Sequence, residues 1–196
     1  MERNEETDGR RGGAPRLALA LLALLGVAAG CAPPQAGELS GPFGPGSGGP
    51  PLSGATAPVA FARSDGVVYG EAAFDPAYFQ PLPAATPDQP ATLAAPAAGI
   101  VLAYSRIAGR PDTPCRYQAA LLARDQHFTI AASGERSNDR GLSFYQVNLQ
   151  AGGVFRRLYC VRIAGELGVA IVAQADAPEK LEYVQVLFVL NSVRPR

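Results

Sequence analysis

The sequence predicts an α+β fold, a mostly antiparallel sheet with a C-terminal helix packed on it. Three observations predict it. Apolar, β-branched and aromatic runs of strand length follow one another from Ile100 to Gln174. Short turn sequences with glycine separate several of them: Ser137-Asn138-Asp139-Arg140-Gly141, Ala151-Gly152-Gly153 and Ala164-Gly165-Glu166. After the last run, Asp176-Ala177-Pro178-Glu179 supplies a capping acid, a first-turn proline and a glutamate three residues after the cap. Strands joined by such short turns pair antiparallel, and the capping pattern closes the chain with a helix. The alternative is a β-sandwich in which 181–189 is a strand, because Tyr183 to Val189 is rich in strand formers.

The elements follow in chain order. Residues 1–30 read as a leader, in which Arg10, Arg11 and Arg16 precede thirteen apolar or small residues, Leu17 to Ala29. A spanning helix needs about 20 apolar residues, whereas this run meets Gly30 and then Pro33-Pro34, which stop a helix. Gly12-Gly13 stand where a twin-arginine signal carries apolar residues. The acidic stretch Glu2 to Asp8 is unusual for a leader's charged region, which a start codon placed too early would explain.

The exit of the leader, Val27-Ala28-Ala29-Gly30-Cys31, resembles the lipobox of bacterial lipoproteins. The resemblance implies lipidation at Cys31, cleavage just before it, and a mature protein held at a membrane by N-terminal acyl chains. It implies a periplasm-facing protein of the bacterial envelope. Ala32 stands where Asp would signal inner-membrane retention in some enteric bacteria, so the outer membrane is expected. Cysteine parity agrees: of three cysteines, acylation of Cys31 leaves Cys115 and Cys160 as a pair. An exported chain meets an oxidising compartment, so a Cys115–Cys160 disulfide is expected, pinning a loop to a strand.

Residues 31–57 read as the lipid anchor and a Pro/Gly-rich tether. With one Phe and few apolar anchors, 32–57 buries too little to offset the entropy of ordering it. As a flexible coil it would span about 25 to 30 Å. Residues 58–99 read as a hairpin-like segment turning at Ser64-Asp65-Gly66, followed by a Pro-rich loop over 81–99. Residues 100–196 form the disulfide-bonded α+β domain. Its strands are expected at Ile100–Ile107, Tyr117–Ala123, His127–Ser133, Leu142–Leu149, Phe155–Ile163 and Leu167–Gln174, and its helix runs from Asp176 to Ser192. Leu142 to Leu149 places apolar groups on both faces, so the sheet is covered on both.

This element order, with the final stretch Leu190-Asn191-Ser192-Val193-Arg194-Pro195, resembles the PsbP/Mog1-like superfamily of α/β/α sandwiches over the C-terminal half. The resemblance implies an interaction role, since that superfamily includes non-enzymatic accessory subunits and assembly factors.

Composition excludes several function classes. The chain holds 17 basic and 17 acidic residues, so no electrostatic footprint for nucleic acid exists. His127 is the sole histidine and leads into Phe128-Thr129-Ile130, which makes it a structural residue at a strand edge. With one histidine and a cysteine pair, a zinc site would rest on carboxylates, so no metal is expected. No nucleophile elbow, phosphate-cradling loop or zinc-protease motif is present. Asp125, Glu135, Asp139 and Glu166 fall at turns, as a solvated face does. No catalytic residues, no cofactor and no enzymatic activity are expected. Two function classes remain. The first is an accessory or scaffold lipoprotein contacting another envelope protein, with Tyr104, Tyr145, Tyr159 and Tyr183 as candidate contact aromatics. The second is a small-ligand or lipid binder with a cleft between sheet and helix, for which Phe128, Phe144 and Phe188 are candidate lining.

Overall fold

The computed structural model describes residues 36–83 and 92–196. The leader and Cys31 lie outside the described residues. In chain order the described elements are β1 (Gly37–Leu39), β2 (Ala57–Ala62), β3 (Val68–Phe74), β4 (Gln80–Leu82), β5 (Thr92–Ala95), β6 (Ile100–Ala108), α1 (Asp112–Gln126), β7 (Thr129–Ser137), β8 (Ser143–Ala151), β9 (Val154–Ala164), β10 (Leu167–Ala175), α2 (Val184–Ser192) and β11 (Arg194–Pro195). Two 3₁₀ turns, Pro96–Ala98 and Pro178–Glu182, precede β6 and α2.

Eight strands form one sheet in the order β1-β7-β8-β9-β10-β6-β5-β4. Every neighbouring pair in it is antiparallel except β1 with β7. β2 and β3 form a hairpin turning at Ser64-Asp65-Gly66, and β11 adds to its β3 side as a small second sheet. The period-2 pleat decides what each face of the large sheet carries. Along β10, Val169, Ile171, Ala173 and Ala175 point into a core shared with α2, β2 and β3, whereas Ala170 joins a second core beneath α1 with Cys115, Val147, Leu158 and Cys160. The result is three layers, with α1 on one face and α2 plus the small sheet on the other. The fold is α+β with a C-terminal helix, and the residues of the sandwich alternative's last strand are helical from Val184 onward.

Four sequence expectations need correction. Tyr117–Ala123 is not a strand but the middle of α1, which starts at Asp112 with its acid in the first turn and ends with Arg124 in the last, the charges a helix dipole favours. A short apolar run cannot by its period alone be told from a helix segment. The helix after β10 is broken: Asp176 makes no cap, Pro178–Glu182 is a 3₁₀ turn, and Asp176 pairs instead with Lys180 at 2.7 Å. The stretch 81–99 is not all loop, because β5 lies against β6 and buries Leu93 and Ala95.

The fourth correction concerns the tether, for residues 36–57 are laid across the domain. β1 pairs with β7, and the Phe43 ring is buried edge-on against Phe144 at 5.1 Å and Tyr159 at 5.6 Å. Arg136 stacks on the same ring and donates to the carbonyls of Gly41 and Pro42 at 3.1 and 2.8 Å. Gly46 lies at φ 91°, and a Cβ there would stand 2.5 Å from the Val184 Cα, so only glycine lets this segment touch α2. Ser53 completes the attachment through Asp75. Burying one phenylalanine contributes about 2 to 3 kcal/mol, and the surrounding backbone bonds replace water for a segment whose composition alone would leave it unfolded.

Candidate functional site

Cys115 and Cys160 stand at disulfide distance, Sγ to Sγ 2.08 Å and Cα to Cα 5.9 Å. Cys115 sits in the first turn of α1 rather than in a loop, and Cys160 is central on β9. The pair therefore fastens a helix to the sheet. Both side chains are fully buried, away from any solvent-exposed redox position.

The structure scatters the other residues singled out in the sequence. Tyr104, Tyr145 and Tyr159 are buried core residues and offer no free contact surface, and Tyr183 is half-buried. Burial pushes the hydroxyls of Tyr104 and Tyr159 well above the ordinary tyrosine pKa. Tyr117, on the outer side of α1, is the exposed aromatic instead, at 66% exposure. Phe128 and Phe144 belong to cores on opposite faces of the sheet, so with Phe188 they cannot line one pocket. His127 closes α1 in the left-handed region at φ 57° rather than beginning a strand. Asp125 lies in the last turn of α1 and is held by Arg124 at 2.5 Å, while Glu135, Asp139 and Glu166 lie in β7 and two different turns. Among the described residues no three His, Cys, Asp or Glu side chains come together.

What sequence reading missed is a groove on the α1 face. α1 packs over β7, β8 and β9, with Ile107 of β6 in the core beneath it, and leaves part of the β6–β10 surface uncovered. The space left, about 540 Å³, has Val101, Ala103 and Val172 as its floor and Leu121 and Leu122 as its wall. Arg156 of β9 closes one end. Its Nε donates to Gln174 Oε1 at 2.7 Å, its Nη1 donates to Gln126 Oε1 at 2.9 Å, and its guanidinium lies 4.6 Å from the Phe128 ring centre. Burial lowers its pKa below the usual arginine value. Residues from β6, β9, β10 and α1 build this groove, so no local motif announces it.

These layers can be compared with known proteins. The solution structure of cyanobacterial PsbP (CyanoP) from Synechocystis sp. PCC 6803 aligns with 78% of this chain and 100% of that chain, with a TM-score of 0.51. The chain has a PsbP-like fold. At 13% identity the likeness to CyanoP concerns the fold alone. The likeness covers more of the chain than the C-terminal half. No family model matches the sequence, and no curated protein matches it.

Proposed function

We propose that this chain is a membrane-anchored lipoprotein of the bacterial envelope, periplasm-facing, serving as a non-enzymatic accessory or scaffold protein that contacts another envelope protein. One observation carries the reading. Cys115 and Cys160 are consumed by each other across α1 and β9, which leaves Cys31 as the remaining cysteine of the chain, at the mouth of an export leader. Acyl chains there contribute about 0.8 kcal/mol for each buried methylene, so two or three of them hold the protein without help from a basic patch.

The docking of residues 36–57 alters how such a protein works. Five residues separate Cys31 from the start of β1, a fully extended reach of about 20 Å. The domain is thereby kept beside the membrane rather than cast out on a 26-residue tether, and its partner is membrane-proximal. Tyr117, exposed on α1 between Arg116 and Gln118, is the type of amphipathic aromatic that a protein contact covers.

In-cell crosslinking of the full chain tests the reading. An envelope protein is expected in the crosslinked fraction, reproducibly, and it should disappear both with Cys31→Ala and when residues from Val59 onward are deleted. Recovery of bulk membrane components alone would refute the accessory role.

A further inference from the structure

We propose that the groove between α1 and the β6–β10 surface binds a small apolar carboxylate, a molecule with a hydrocarbon chain ending in a carboxylate group, with Arg156 taking the charged end. The inference stands on the groove's chemistry and does not depend on the accessory reading.

Arg156 is held still by neutral partners. Two glutamine carbonyls and a phenyl face fix the plane of its guanidinium, and none of the ion pairs among the described residues includes it. A guanidinium has five N–H donors. Two of these are engaged, which leaves both Nη2 hydrogens and one Nη1 hydrogen without an acceptor among the described residues, and such guanidinium donors bind carboxylate oxygens in charge-assisted hydrogen bonds. Asp125 also lines the groove, but its oxygens accept from Arg124 Nε at 2.5 Å and Nη2 at 3.0 Å, so its charge is already answered. A half-buried cation whose direct partners are all neutral has lost part of its hydration, and an arriving anion offsets that loss.

The remainder of the groove has the opposite character. Val101, Ala103, Val172, Leu121 and Leu122 are half-buried and present hydrocarbon along its length. A space of about 540 Å³ lies within the size range of small-ligand sites. An apolar chain along this floor with its carboxylate at Arg156 satisfies both ends at once. A free inorganic anion would use only the guanidinium, and a neutral alkane only the floor.

The test is nuclear magnetic resonance on the isotope-labelled full chain, titrated with octanoate and, separately, with 1-octanol. Octanoate should shift the Arg156 Nε–H signal and the methyl signals of Val101, Leu121 and Val172 saturably, and bind about tenfold or more tightly than octanol. Arg156→Gln should remove that advantage while leaving octanol unaffected, and Ala103→Leu, which fills the floor, should abolish both. Equal affinity for the two probes, shifts confined to other parts of the molecule, or no saturable shift would each overturn the proposal. Should Arg156→Gln fail to fold, the octanoate against octanol comparison on the unaltered chain still decides. Neither result bears on envelope crosslinking, so the two readings fail separately.

Discussion

Ile171 and Val172 are neighbours on β10, yet Ile171 is fully buried while Val172 is only half-buried. The same contrast holds for the two faces of the sheet. One is sealed along its length by α2, the small sheet and the docked segment around Phe43, and its core includes Tyr159, Val161 and Leu190. The other is roofed by α1, which is pinned by a disulfide over β9 and leaves a groove open over Val101, Ala103 and Val172. The sealed face supplies stability through area removed from water. The open face depends on a covalent staple for its roof, and the uncovered remainder of its apolar surface is free to meet a ligand.

Removing the staple should break the comparison most severely. Closing a loop across a sequence separation of 45 residues stabilises by about 4 kcal/mol in the chain-entropy model. Replacing both Cys115 and Cys160 by Ala should lower the unfolding free energy by nearly that amount in a urea titration. Hydrogen exchange should accelerate first in α1, because the roof loses its tie while the sealed face keeps its contacts.

A matched pair of valines sharpens the contrast. Val161→Ala, on the sealed face, should cost about 2 to 3 kcal/mol, the transfer of two methyl groups plus the cavity they leave. Val172→Ala should cost about 1 kcal/mol or less, since that side chain is only partly buried and borders the open groove. Equal losses in chemical denaturation would mean that the two faces are sealed alike.

A smaller effect concerns the docked segment. Asp75 is buried and accepts from the Ser53 N–H and Oγ at 2.6 Å each and from the Ala77 N–H at 2.9 Å. Burial pushes its pKa up, but the hydrogen bonds from Ser53 and Ala77 outweigh it and leave the carboxyl below the ordinary aspartate value. A carboxylate depressed in the folded state contributes stability that is complete above its unfolded pKa, near 3.9, and is lost as pH falls through the folded value. Asp75→Ala should therefore cost about 2 kcal/mol at neutral pH and progressively less below about pH 4. A cost independent of pH would show that the carboxylate's charge plays no part in holding Ser53.

The parts of this fold legible in sequence are those decided locally. β6, β8, β9 and β10 coincide within two residues with the runs predicted for them, because β-branched pattern and glycine turns specify both element and register. α1 was illegible as a helix because Tyr117-Gln118-Ala119-Ala120-Leu121-Leu122-Ala123 has strand length, and its start at Asp112 follows a proline that suggests a loop. Residues 36–57 misled for the opposite reason. Their composition predicts disorder, but a single ring, Phe43, finds a buried seat between Phe144 and Tyr159 that only tertiary structure supplies. At the candidate sites, the cysteine pairing follows from parity and export. The groove does not, since Ala103, Leu122, Arg156 and Val172 are unremarkable singly and become a site only where four elements meet.

The claim on which the functional account rests is acylation of Cys31, and metabolic labelling with an alkyne analogue of palmitate tests it most directly. The full chain and the Cys115→Ala/Cys160→Ala variant should both carry the label into the membrane fraction, and Cys31→Ala should carry none. Label retained by Cys31→Ala, or absent from the unaltered chain, would contradict a lipoprotein anchored at that residue.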